Sequence, residues 1–178
     1  MRIDDLPGEL LMWVLIVSEL LIFAAGITVM STLRLRDPTG FAAAQALLDG
    51  RLAAANTVIL VTSGFAAARA ERAAAQGQRR QARIALILAA LGGAGFLALK
   101  AVEYIGDAAR GITMEGSPFF TFYYLLTGFH AAHVIAGVVV LLLVAWRARA
   151  DAGQAGAMFW HMVDLVWVLI LPPIYLLG

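Results

Sequence analysis

Five apolar runs, each long enough to cross a lipid bilayer and separated by short polar stretches, constrain this chain more than any other feature. A helix needs roughly 20 such residues to span about 30 Å of hydrocarbon. The runs lie near Leu10–Thr32, Leu52–Ala68, Ile84–Ile105, Pro118–Trp146 and Ala157–Leu177. The second is short and alanine-rich, and the fourth is long enough to tilt or to extend beyond the lipid. Backbone N–H and C=O groups have no partner in lipid, so each run must be helical. The expected fold is therefore an all-α integral membrane protein, a five-helix bundle forming one transmembrane domain over residues 1–178. Composition agrees: 62% of residues are hydrophobic and 14% charged, far more apolar than soluble domains.

Arginine placement sets the expected orientation. The stretch after the second run holds Arg69, Arg72, Arg79, Arg80 and Arg83 against Glu71 alone, and the one after the fourth holds Arg147 and Arg149. The opposite loops hold only Arg34, Arg36, Arg51 and Arg110. The positive-inside rule then puts the N-terminus in the cytoplasm and Gly178 outside. An arginine patch that docks a partner or anionic lipid is the other reading of the first cluster. Asp4, Asp5 and Glu9 make the N-terminus unlike a cleaved signal peptide.

The chain has no cysteine, hence no disulfide, thiol nucleophile or thiolate metal site. Its net charge of +1 and the lack of a basic, aromatic-interleaved surface give no sign of nucleic acid. No phosphate loop, hydrolase triad or dinucleotide fingerprint is present. Nor is an internal repeat or a pair of inverted halves evident.

Ionisable residues at lipid depth are costly and mark function or partnership. Glu19 lies about nine residues into the first run, near mid-depth. It is either a proton-exchanging acid or a structural hydrogen-bonding group. His130 and His133, three apart on the fourth helix, offer either interhelical and lipid contacts or a metal or haem ligand. The Glu-x-x-His pattern of di-iron bundles is missing. His161 and Asp164 are one turn apart, either a pair locking the fifth helix or a proton relay on the inner side. Lys100 and Glu103 read as a local ion pair. Gly128, Ala132 and Ala136, four apart, form a smooth stripe for helix packing. Thr62-Ser63-Gly64 and Ala89, Gly92, Gly93 and Gly95 also invite close approach. Trp160 and Tyr175 suit interfacial aromatic belts. Pro172-Pro173 predicts a kink or unwinding near the end of the last helix.

Together these segments resemble subunit III of the haem–copper oxidase family over nearly the whole chain. Ser18-Glu19 resembles the family's Ser-Glu helix, whose carboxylate reacts with carbodiimide. Asn56-Thr57 and Thr62-Ser63-Gly64 resemble its next helix, and Glu103-Tyr104 its Glu-Tyr pair. Thr127-Gly128-Phe129-His130-Ala131-Ala132-His133-Val134 is similar to its Thr-Gly-Phe-His-x-x-His-Val signature. Trp160-His161-Met162-Val163-Asp164-Leu165-Val166-Trp167 is similar to its Trp-His-Phe-Val-Asp-x-x-Trp signature. The two N-terminal helices of the mitochondrial type have no counterpart among the five runs, so any lipid cleft would be completed by lipid or another protein. Leu99–Tyr104 and Phe120–Gly128, with the short loops, look closest to the small branch of nitric oxide reductase activation proteins.

The resemblance implies a non-catalytic accessory subunit of a respiratory complex in the bacterial inner membrane. It would have no catalytic residue, metal site or redox centre of its own and no soluble substrate. Phospholipid would be bound, and haem with iron or copper would sit in the catalytic partner subunit. Nitric oxide reductase is the first expected partner and a terminal cytochrome c or quinol oxidase the second. An independent proton-coupled transporter, suggested by Glu19, is a third reading. Glu19 is then the proton-related acid; Lys100, Glu103, His130, His133, His161 and Asp164 provide the intramembrane polar network or lipid contacts.

Overall fold

The computed structural model describes residues 10–147 and 150–177, and all five expected spans are helices. Asp4, Asp5, Glu9, Arg149 and Gly178 lie outside the described residues. The elements are α1 (Leu10–Arg36), α2 (Pro38–Gln45), α3 (Gly50–Ala75), α4 (Arg79–Ala109), α5 (Pro118–Arg147) and α6 (Ala150–Leu171). A π-helical turn over Pro172–Leu176 continues α6, at the place where two prolines remove backbone donors. The short helix α2 is an addition to the five expected. Its start is nonetheless written locally: the Asp37 side chain accepts from Gly40 N at 2.9 Å, and Pro38 occupies the first helical turn.

Two glycines close the long helices in the same way. Gly77 and Gly111 have φ of 72° and 75°, the left-handed region in which glycine carries no Cβ penalty. After α3, Gln78 N donates to Ala73 O and Gly77 N to Ala74 O; after α4, Ile112 N donates to Asp107 O and Gly111 N to Ala108 O. Both are Schellman closures. The first leaves a turn of only Gln76–Gln78 between α3 and α4, so the arginine-rich stretch is mostly helix.

Helices α3, α4, α5 and α6 form the packed bundle, with α3 and α4 the most intimate pair. Helix α1 leans on the α5–α6 side and buries only Phe23 and Met30. The centre is Trp160 on α6, which is fully buried. Its indole N–H donates to Ser63 Oγ on α3 at 3.0 Å, and Ser63 Oγ donates to Ala89 O on α4 at 2.7 Å. Its ring lies where side chains at Gly93 and Gly137 would stand; a Cβ on Gly137 would be 2.6 Å from the ring. One residue thus joins four helices. Trp160 is therefore not an interfacial belt residue, because small residues on three neighbours leave room for the ring in the core.

The stripe on α5 is also corrected. Gly128 is half-buried, but Ala132 and Ala136 are exposed. The face of α5 turned to the bundle carries Tyr123, Leu126, His130, Val134, Gly137 and Leu141. Large rings from α4 and α6 seek that side, and glycine at position 137 accommodates one of them.

Candidate functional site

Helix α4 places Lys100, Glu103 and Asp107 at spacings of three and four, which puts all three on one face. That face is turned inward, and all three are buried at 3% exposure or less. The expected Lys100–Glu103 ion pair is present, with Nζ 3.0 Å from Glu103 Oε2. It belongs to a larger cluster. Lys100 Nζ also donates to Tyr175 OH at 2.8 Å and to Tyr123 OH at 3.4 Å, so its three N–H donors are all used. Tyr175 OH donates to Glu103 Oε1 at 2.6 Å. Four aromatic rings surround the ammonium, the nearest being Tyr123 with its centroid at 4.7 Å and the others Tyr104, Tyr175 and Trp167. Such contacts help offset the desolvation of the cation.

Tyr123 OH lies 3.0 Å from Glu103 Oε1 and 2.9 Å from Asp107 Oδ2. A phenol has one proton, so only one carboxyl can receive it at a time. Asp107 in turn contacts Arg110 Nη2 at 2.5 Å, and Arg110 Nη1 donates to Leu47 O at 3.0 Å. With every group ionised, Lys100 and Arg110 balance Glu103 and Asp107. The cluster runs from a fully enclosed ammonium to a half-exposed guanidinium at the end of α4. Tyr175 is consequently a core ligand of the cluster and not a belt residue. Beside it, Tyr104 OH and Thr127 Oγ1 are 2.6 Å apart and tie α4 to α5.

The two histidines of α5 part company. His130 is fully enclosed, edge-on to Phe96 at 5.4 Å and tilted over Trp167 at 5.3 Å, with no hydrogen-bond partner for either nitrogen. Trp167 donates its indole N–H to Thr57 Oγ1 at 3.0 Å. His133 turns toward α1, where its Nε2 is 3.1 Å from Glu19 Oε2. That distance allows charge pairing, although the approach is off-line for a hydrogen bond. His133 Nδ1 is 2.9 Å from Phe129 O, an atom that only accepts, so Nδ1 carries the hydrogen. Nε2 is the ring nitrogen left to face the Glu19 carboxyl. The His133 and Glu19 side chains are partly accessible at 15% and 21%, so this ionisable pair opens to the bundle's exterior.

The expected pairing of His161 with Asp164 is not formed. His161 is exposed, whereas Asp164 points inward against Gly64, and no hydrogen bond or ion pair joins them. A residue one helical turn away shares only roughly the same face, and the close approach of α6 to Gly64 draws the aspartate alone into the bundle. Among the described residues no group of three His, Cys, Asp or Glu is placed to hold a metal.

Sequence reading found Lys100, Glu103, Glu19 and His133, passed over Asp107 and Tyr123 as members of the cluster, and took Arg110 for a loop charge and Tyr175 for a belt residue. Asp107 was within reach of spacing alone, seven residues beyond Lys100 on the same helical face. The tyrosines were not, because they arrive from α5 and from the turn after α6.

Fold and site define a multi-pass helical membrane protein in which α4 turns Lys100, Glu103 and Asp107 inward as a paired cluster. Residues 9–178 match the family model for cytochrome c oxidase subunit III, and the chain belongs to that family. Cytochrome c oxidase subunit 3 of Corynebacterium diphtheriae is 34% identical over 131 residues, covering 67% of this chain and 62% of the relative. That of Prototheca wickerhamii is 33% identical over 131 residues, covering 69% and 49%. That of Neurospora crassa is 35% identical over 134 residues, covering 69% and 48%. The chain thus matches about half to three-fifths of the length of these relatives.

Proposed function

We propose that this protein is a non-catalytic accessory subunit of a haem-containing respiratory complex in the bacterial inner membrane, with nitric oxide reductase as its partner. The observation that carries the proposal is the Glu19–His133 pair. It is partly open, at lipid depth, on the side where α1 covers the bundle only thinly. Intramembrane ionisable groups face protein or a water-filled cavity, not acyl chains, so this side suits a neighbouring subunit. Membership of the subunit III family and the paired interior support the accessory role. The arginine bias supports a cytoplasmic N-terminus and an outer C-terminus. The motifs Leu99–Tyr104 and Phe120–Gly128 favour the nitric oxide reductase branch. A terminal cytochrome c or quinol oxidase is the second reading, favoured by the relatives, which are cytochrome c oxidase subunits.

In this role Glu19 is the proton-related acid, and His133 stands beside it near the partner's surface. The Lys100 cluster ties α4, α5 and the end of α6 into a rigid unit. Haem and its iron or copper belong to the partner subunit, and phospholipid fills the remaining surface. The test is to purify the tagged chain in mild detergent and record an optical spectrum of what accompanies it. A haem-bearing membrane protein should co-purify, and its consumption of nitric oxide or of oxygen then chooses between the two readings. A Soret band belonging to this chain alone, or proton flux in vesicles holding nothing else, would overturn the accessory role.

A further inference from the structure

The chain has four tyrosines, and the neighbours of their hydroxyls sort them into two kinds. Removing an electron from a phenol makes its O–H strongly acidic. Inside an apolar bundle that proton must go to a base within hydrogen-bond reach. Tyr123 OH is 2.9 Å from Asp107 Oδ2 and 3.0 Å from Glu103 Oε1, and Tyr175 OH is 2.6 Å from Glu103 Oε1. Tyr124 OH donates instead to the backbone carbonyl of Ile112 at 2.9 Å, and Tyr104 OH meets the Thr127 hydroxyl. The indole N–H of Trp167 likewise meets a hydroxyl, that of Thr57. A peptide carbonyl or an alcohol is a far weaker proton acceptor than a carboxylate. Tyr123 and Tyr175 are thus the two rings equipped to lose an electron and a proton together.

Position and charge give the two rings different parts. Tyr175 is half-buried near the end of the bundle, whereas Tyr123 is fully enclosed. Their ring centroids are 6.4 Å apart, close enough for an electron to pass between them. Lys100 Nζ lies 2.8 Å from Tyr175 OH and 3.4 Å from Tyr123 OH. An ammonium opposes the loss of an electron from a neighbouring ring, and a carboxylate favours it. Tyr175 has one carboxylate and the nearer ammonium contact; Tyr123 has two carboxylates and the farther one. The electron vacancy is therefore easier to hold on Tyr123, while Tyr175 is the ring that an outside oxidant reaches first.

We infer that Tyr175 and Tyr123 form a one-electron redox site built on the Lys100 cluster. Tyr175 gives an electron to the oxidant and its phenolic proton to Glu103. Tyr123 then gives an electron to the Tyr175 radical and its own proton to Asp107, while Glu103 returns its proton to Tyr175. The net change is one electron lost to the oxidant and one proton moved from Tyr123 to Asp107. A single electron from a reductant reverses both. The natural oxidant, an oxidised haem of the neighbouring subunit, rests on the proposed function; the site itself does not. The test is to oxidise the full chain in mild detergent with a photogenerated ruthenium(III) polypyridyl complex. Electron paramagnetic resonance of freeze-quenched samples should show a tyrosyl radical that forms more slowly in deuterium oxide. Tyr123→Phe combined with Tyr175→Phe should abolish this radical, and Tyr124→Phe should leave it unchanged. Glu103→Gln combined with Asp107→Asn removes both bases and should suppress the radical. The isotope effect is read in the unaltered chain, so it decides the matter even where a variant fails to fold. An undiminished radical in the double phenylalanine variant, equal oxidation rates in the two solvents, or a signal lost in Tyr124→Phe would overturn the assignment. A purified complex without haem whose radical persisted would count against the proposed function alone.

Discussion

Lys100 shows what a single charge at lipid depth requires. Its ammonium is enclosed, yet it has three acceptors and four aromatic rings, so the desolvation cost is offset locally. Replacing it with methionine removes the cation and leaves Glu103 and Asp107 enclosed without it. Breaking a buried pair from one side costs about 3–5 kcal/mol. Lys100→Met should therefore lower the unfolding midpoint in detergent sharply, and adding Glu103→Gln should recover part of the loss. A double variant no better than the single one would show that the pair is not coupled. Glu19 and His133 are a second coupled unit. Glu19→Gln and His133→Ala should each leave assembly intact but change the complex's activity or its durability in turnover, and the double variant should add little to either. Additive effects would show that the two do not act as a unit. His161→Ala, by contrast, should move stability by no more than about 0.5 kcal/mol, since the ring is exposed and makes no bond to Asp164. Thermal melts of the Lys100 and His161 variants, beside turnover assays of the Glu19 and His133 variants, separate these cases.

At the scale of the elements, α5 has two unlike faces, and the inner one is set by rings on its neighbours. Gly137 accommodates Trp160, so Gly137→Ala should cost about 1–3 kcal/mol through overpacking. Ser63→Ala should cost about the same, because it leaves the enclosed indole N–H of Trp160 without an acceptor. Ala132→Leu and Ala136→Leu lie on the outer face and should be neutral for the chain's own unfolding. A melt in which the alanine variants fell and the glycine variant held would reverse the assignment of faces. The ends of the helices carry their own logic. Gly77 holds the left-handed turn that lets α3 stop abruptly enough for the three-residue turn before α4, and Gly111 closes the far end of α4 in the same way.

The whole molecule is a four-helix unit with α1 laid against it. Few residues of α1 are enclosed, whereas α3, α4, α5 and α6 meet around Trp160 and the Lys100 cluster. Local opening free energy follows such contacts. Amides of α1 should therefore exchange hydrogen sooner than those of α4 in the detergent-solubilised chain, and docking onto a partner should slow α1 selectively. Uniform protection across all helices would show that α1 needs no neighbour.

Much of this architecture was legible in the residues themselves. Hydrocarbon thickness and the need to satisfy every backbone group leave one solution for five apolar runs, so the number, type and placement of the spans followed directly. Helical spacing likewise put Lys100 beside Glu103. What only the folded chain decided was which polar groups met across helices. Tyr123 and Tyr175 joined the cluster from elsewhere, His130 and His133 turned to different neighbours, and Asp164 left His161 for a gap at Gly64. Helix periodicity assigns a side chain to a face but not that face to a neighbour. In lipid that choice is made by close packing of small residues against large rings, a property of several helices at once.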